Sequence, residues 1–275
     1  MQQASWTTRF HIGSSQFFVR LDHIVMRLFR LVTRALWLTL TVLWGFLAVV
    51  LLYPILGAAP RLAIKRSWSR HMLRCCGLRL TVMPSDQGFN APERGELVVM
   101  NHISFIDILV LDALRPVHFI AKSEIRDWPL IGTLCARTGT IFIERGKRHA
   151  VHDVLKTMAD QLRAGEVVSF FPEGTTSDGS QVLPFHANLF EAAVRAQAMV
   201  RPLVISYWQA GHRSLAPAFI DDLSLVDCAV AVLAATGIEV RLKLLDAIPS
   251  EGLTRQQLAA KVREQMLEYH RQDND

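Results

Sequence analysis

From Ala35 to Pro60 the chain carries no charged side chain, a run of 26 residues. As a helix this run would reach about 39 Å, against a bilayer hydrocarbon core of about 30 Å. Ahead of it, apolar residues from Phe17 to Arg34 alternate with Arg20, Arg27, Arg30 and Arg34 at helical spacing. That pattern predicts a basic amphipathic helix, placed equally well on a bilayer surface or against the protein. Trp37 and Tyr53 stand where interfacial aromatics would. Thirty-four residues ahead of the run make too long a leader for a cleaved signal peptide. Arg61, Lys65, Arg66, Arg70 and Arg74 follow, so both flanks are basic and the charge rule gives no orientation. Pro54 and Gly57 can bend the segment. A true span and a helix that enters and returns both fit.

Charge is distributed unevenly. Residues 1–80 hold eleven Lys/Arg and one acid, Asp22, while the whole chain nets only +5, so the remainder is acidic by five. A basic head on an acidic body argues against nucleic acid, which favours a basic face on the folded domain, and suits an anionic membrane. Cys75, Cys76, Cys135 and Cys228 form no C-x-x-C pair, so no metal set or disulfide framework is written here. With 51% hydrophobic residues, 275 residues suffice for one large core plus an anchor. The division expected is 1–79 as membrane-anchoring helices and 80–275 as a catalytic domain.

From about residue 80, short β-branched runs alternate with helical stretches. Strands are expected at Leu97–Met100, Val117–Ala121, Thr140–Ile143, Val167–Phe171, Leu203–Ser206 and Ile238–Leu244. Helices are expected at Ser104–Leu114, Pro129–Arg137, Ala150–Ala164, Asn188–Gln197 and Thr254–His270. The class is α/β, with a mixed, largely parallel sheet flanked by helices behind a helical anchor.

Four stretches place polar residues among apolar neighbours. After Leu97–Met100 come Asn101-His102, with Ser104 as the expected N-cap and Asp107 completing a capping box. In one continuous helix, residues five apart point about 140° from each other. His102 therefore has to precede the helix and fold back for Asp107 to orient it as a general base. A strand ending in Arg145 and Gly146 offers a guanidinium fork for a phosphate or carboxylate. Phe171-Pro172-Glu173-Gly174-Thr175 carries an acid that can accept from a substrate hydroxyl or pair with Arg145, and a glycine that permits close backbone approach. Val200–Ile205 contains Pro202, which predicts an edge or a bulge. Asp178-Gly179 lacks the acid spacing of a calcium loop, and Ser104 lacks a G-x-S-x-G elbow.

Together these stretches resemble the glycerolipid acyltransferase family. Its N-H-x4-D motif is matched by Asn101, His102 and Asp107. Its F-I-x-R strand end is matched by Phe142, Ile143 and Arg145, its F-P-E-G-T by Phe171 to Thr175, and its proline-containing strand by Val200–Ile205. All four occur in family order over about residues 80–245. The resemblance implies acyl transfer from acyl-CoA or acyl-ACP, used as co-substrate with no resident cofactor, to a lysolipid hydroxyl. The expected acceptor is 1-acyl-sn-glycerol-3-phosphate, giving phosphatidic acid. Alternatives are another acceptor such as lyso-ornithine lipid, or a non-catalytic membrane-tethered lipid-binding protein. His102 and Asp107 would be catalytic. Arg145, with Lys122 as a second candidate, would hold a phosphate, and Glu173, Gly174 and Thr175 would position glycerol. Backbone N–H groups near the turn would serve the oxyanion. The resemblance further implies a bacterial inner membrane location with the catalytic domain on the cytoplasmic side, and the bilayer, its lipid acceptor and the acyl donor as partners.

Overall fold

The structure is a computed structural model that describes residues 7–85, 95–144, 148–220 and 223–273. Arg145, Gly146 and Lys147 lie outside the described residues.

Helix α1 (Thr7–Leu47) joins the expected amphipathic and apolar stretches into one rod. It continues through a π-helical turn, Ala48–Leu52, and a 3-10 turn, Tyr53–Ile55. The chain then reverses at Leu56-Gly57 into α2 (Ala58–Cys75). Pro54 has no N–H to extend the ladder, so the break falls where the sequence placed a possible bend. The two helices run back along each other. The Trp37 indole donates to His71 Nε2 (2.9 Å), and the Trp68 indole donates to the Thr41 carbonyl (2.9 Å). A Cβ on Gly45 would sit 2.4 Å from the Trp68 indole nitrogen, so glycine makes room for that ring.

Two expectations for this region change. Tyr53 is buried with its hydroxyl donating to the Arg61 carbonyl (3.1 Å), so it is no interfacial anchor. Lys65 is also buried. It pairs with Asp112 (3.1 Å) and donates to the Val117 carbonyl (2.5 Å), so it fastens α2 to the body instead of meeting lipid headgroups.

Among the described residues the strands are β1 (Arg79–Met83), β2 (Glu96–Met100), β3 (His118–Lys122), β4 (Ile141–Ile143), β5 (Val167–Phe170), β6 (Met199–Gln209), β7 (His212–Arg213), β8 (Ile238–Leu244) and β9 (Ile248–Pro249). Their order is β1-β8-β6-β2-β5-β3-β4, with β7 and β9 also pairing β6. Strands β6, β2, β5, β3 and β4 are mutually parallel; β8 runs antiparallel to β6 and parallel to β1. The sheet is mixed and mainly parallel, as expected.

Pro202 does not make β6 an edge strand. It sits between β2 and β8, with Pro202 opposite Val99. The antiparallel partners explain this: β9 pairs Met199 and Val200, β8 pairs Leu203 onward, and Pro202 falls in the gap between the two ladders.

The remaining helices are α3 (Ile106–Leu114), α4 (Ile131–Arg137), α5 (Arg148–Arg163), α6 (Glu191–Ala196), α7 (Leu225–Ala234) and α8 (Arg255–Gln272). Alternation along the strands sends side chains to two cores. Val98 and Met100 of β2 pack with Met72, Leu73, Ile106, Val110, Val232 and Leu233 from α2, α3 and α7. Leu97 and Val99 pack with Met158, Leu162, Ala193, Leu258 and Val262 from α5, α6 and α8. Helix α1 lies over the first core through Leu31, Ala35, Leu38 and Val42. Arg30 and Arg34 donate to the carbonyls of Leu233, Ala234 and Ala235 (2.6–3.3 Å), which satisfies the open end of α7. Its opposite face leaves Phe29, Val32, Leu36, Leu40, Trp44 and Leu47 exposed. Residues 24–55 form one stretch long and apolar enough to cross a bilayer, with mean hydropathy 2.3.

Candidate active site

The chain leaves β2 toward β3 on one side of the sheet, and leaves β5 toward β6 on the other. β2 and β5 are neighbours, so a crevice opens at their carboxyl ends, where α/β sheets bind ligands. His102 follows β2 and Glu173 follows β5.

Asn101 ends β2 by imitating a further strand residue. Its amide accepts from Ile205 N–H (2.8 Å) and donates to the Ile205 carbonyl (3.1 Å), fixing the turn to β6. His102 then precedes the helix, as its pairing with Asp107 demanded. Asp107, in the first turn of α3, receives His102 Nδ1 at 2.9 Å on Oδ2. The same oxygen accepts from the N–H groups of Ile103 (2.7 Å) and Ser104 (2.9 Å). The capping box is therefore half formed. Asp107 reaches back to Ser104 N–H, but Ser104 Oγ accepts from Ile106 N–H (3.3 Å), and the helix begins at Ile106 instead of after Ser104.

Asp107 is fully buried, while His102 keeps 19% of its side-chain surface exposed. Nδ1 being engaged, Nε2 is the ring nitrogen left for a substrate. The ring stacks on Phe171 at 3.7 Å between centroids and 7° between planes. The acid on one edge and the phenyl on one face hold the imidazole in a single orientation.

Glu173 is 4% exposed, and both its oxygens face main chain. Oε2 accepts from His102 N–H (3.1 Å) and Oε1 from Leu183 N–H (3.1 Å). Burial raises its carboxyl to about 7, against the opposing pull of these two hydrogen bonds. The carboxylate expected to take a substrate hydroxyl or Arg145 ties the β5 loop to the His102 turn. That turn is braced twice more, by Ser177 N–H on the His102 carbonyl (2.8 Å) and Phe219 N–H on the Ile103 carbonyl (2.9 Å). The N–H groups of His102, Ile103 and Ser104 are all taken by carboxylates, so these three are not the oxyanion donors.

Gly174 adopts φ +69°, in the left-handed region that strains other residues, which accounts for glycine after Glu173. Thr175 is exposed beside it, and Lys122 is exposed at the end of β3, two strands from β2. Both stand at the same end of the sheet as His102. Arg145 falls outside the described residues, two positions beyond β4.

Sequence reasoning missed Tyr207. Its hydroxyl donates to Asp107 Oδ1 at 2.6 Å from a fully buried position on β6. Burial first, then the Asp107 charge, push the phenol well above its ordinary range, so it stays a donor. The signal available was a tyrosine on the same face of the strand as Leu203 and Ile205. A buried tyrosine hydroxyl demands a partner.

A mixed sheet bearing a His–carboxylate pair on the turn after a central strand, with one apolar N-terminal helical stretch, defines an α/β protein equipped for general-base chemistry beside a membrane-compatible helix. Comparison with known proteins agrees. The acyltransferase family model matches residues 85–206. A lyso-ornithine lipid O-acyltransferase of Pseudomonas aeruginosa is 36% identical over 204 residues, covering 74% of this chain and 77% of the relative. A 1-acyl-sn-glycerol-3-phosphate acyltransferase of Neisseria meningitidis is 36% identical over 170 residues, covering 60% and 66%. The crystal structure of the 1-acyl-sn-glycerophosphate acyltransferase PlsC of Thermotoga maritima shares the fold, with TM-score 0.68 at 21% identity, covering 92% of this chain and 98% of that one. The chain belongs to the acyltransferase family, and it is an acyltransferase.

Proposed function

We propose that the chain moves a fatty acyl group from a thioester, acyl-CoA or acyl-ACP, to the free hydroxyl of 1-acyl-sn-glycerol-3-phosphate, giving phosphatidic acid. The observation that carries this is the 2.9 Å bond from His102 Nδ1 to a fully buried Asp107, which leaves Nε2 to face the acceptor. Nε2 takes the hydroxyl proton as the oxygen attacks the thioester carbonyl, and Asp107 stabilises the imidazolium. The tetrahedral intermediate expels the thiolate, which recovers that proton as the C–S bond breaks. No acyl-enzyme and no resident cofactor enter. Glu173 holds the turn in position. Arg145 and Lys122 would meet the acceptor's phosphate, with Gly174 and Thr175 at its glycerol. The α1–α2 hairpin, basic at both flanks, would seat the body on the cytoplasmic face of a bacterial inner membrane, where acceptor and product reside.

A lyso-ornithine lipid acceptor is the second reading, favoured by the name of the Pseudomonas relative. Its carboxylate would replace the phosphate at Arg145. Purified protein offered acyl-CoA and a panel of lysolipids, with products identified by mass, separates the two. His102→Ala is expected to lower transfer by about 10²–10⁴-fold while the protein melts and partitions into membranes as before. Wild-type turnover in that variant would remove the general-base role. Arg145→Ala is expected to raise KM for a phosphate-bearing acceptor more than for the thioester.

A further inference from the structure

We propose that Tyr207 is a positioning residue that sets the basicity of His102 through Asp107, drawing charge from the carboxylate that the imidazole would otherwise feel in full. This inference rests on the reading of His102 as the base. Asp107 divides its two oxygens between different jobs. Oδ2 takes the imidazole and two main-chain N–H groups, all from the turn that carries His102. Oδ1 takes the Tyr207 hydroxyl at 2.6 Å, from a strand one hundred residues away in sequence.

A hydroxyl–carboxylate bond of that length belongs to the strong, charge-assisted kind. It does two things at once. It fixes the rotation of the carboxylate, so Oδ2 stays aimed at Nδ1. It also withdraws negative charge, which weakens the hold on a proton at the imidazole. The other titratable groups facing this pair are few among the described residues. Glu173 approaches from the β5 loop, held by His102 N–H. Cys228 on α7 and Cys76 at the end of α2 are buried thiols, and burial raises that of Cys228, so it stays neutral. Tyr207 is the one that can donate to Oδ1 from the protein interior while keeping its own proton.

The test is Tyr207→Phe, which keeps the ring in the core and deletes the donor. The acid limb of the kcat/KM profile should move up by about one pH unit, the scale expected for loss of a hydrogen bond to a charge. Rates below the limb should fall about tenfold, and the alkaline plateau should stay within about twofold of wild type. A uniform loss at every pH would mean that Tyr207 only packs, and would overturn the proposal.

A readout independent of acyl transfer is the pH dependence of diethylpyrocarbonate modification at the His102 peptide, followed by mass. The half-modification pH should rise in parallel, and no movement would also overturn the proposal. This measurement keeps its meaning if the acceptor assignment fails. If Tyr207→Phe does not fold, replacement of the three tyrosines by the more acidic 3-fluorotyrosine should strengthen the donor and shift the modification curve down. An unchanged or upward-moving curve would refute the idea. Because burial raises the nearby Glu173 carboxyl to about 7, the Tyr207→Phe shift is also read in a Glu173→Gln background, where its disappearance would overturn the proposal.

Discussion

At the first residue of β2, Glu96 accepts from Arg201 (2.6 Å) and Arg115 (3.1 Å); beyond the other end of the strand, in the first turn of α3, Asp107 accepts from His102, Tyr207 and two main-chain N–H groups. Both carboxylates are buried, Glu96 on β2 and Asp107 in the first turn of the helix that follows it. Their partners differ in kind. A guanidinium never gives up its proton in this setting and has no acceptor to offer, so Arg201 and Arg115 close the Glu96 cluster chemically. An imidazole titrates near neutrality and has a second nitrogen, so the Asp107 cluster stays open on one side. Burial of an acid, then, does not mark a catalytic site. What marks it is a partner that can still exchange a proton with something outside.

The sharpest way to break this contrast is to disable each end in turn. Asp107→Asn is expected to lower kcat by about 10²–10⁴-fold, since the amide cannot stabilise an imidazolium, while thermal unfolding moves little. Steady-state kinetics beside a melting curve checks both halves. A loss of stability matching the loss of rate would mean that the two ends of β2 do the same work. Arg201→Met should show the reverse: about 3–5 kcal/mol less stability, because a buried Glu96 loses half its compensation, with kcat per folded molecule kept within a few fold. Denaturant titration with active-site counting measures it, and a selective fall in kcat would join Glu96 to the catalytic machinery.

The smallest effect tests the group between the extremes. Glu173 is raised to about 7 by burial, from an ordinary 4.5. Between those values the native state holds a proton that the unfolded chain has released. Its contribution to stability is therefore full at low pH and falls as pH rises through that window. Glu173→Gln should flatten the pH dependence of unfolding between about 4.5 and 7, removing a slope worth on the order of 1–3 kcal/mol. Parallel curves for the two proteins would show that Glu173 carries no raised titration.

Much of the scaffold was legible. The run Ile238–Leu244 is a strand with the predicted bounds, and Val167–Phe170 falls one residue short of its predicted end. Ile238–Leu244 alternates apolar with charged residues at the two-residue period of a half-buried strand, and Val167–Phe170 belongs to an apolar run too short for a helix. The short β1, with polar Arg79 and Thr81 between apolar residues, escaped because its pairing with β8, and not its own composition, makes it a strand. Helix α7 escaped too. Its Ser224–Asp227 capping box was readable, but a ten-residue apolar segment is ambiguous until something packs on it, and here that is α1. Lys65 looked like a membrane flank only because its partner, Asp112, lies two strands further along the chain, in α3.

The sequence by itself determined that a histidine follows a buried strand and that an acid five residues on opens a helix. Those are local matters of hydrophobic run length, turn and cap, decided within a dozen residues. Only the tertiary structure decided what else Asp107 would touch, where Glu173 would spend its oxygens, and that α1 and α2 fold into one hairpin. Each of these depends on contacts between segments up to one hundred residues apart, whose register is set by the packing of whole strands and helices. No local pattern encodes that register, because it minimises exposed apolar area and unpaired polar atoms over the entire molecule at once.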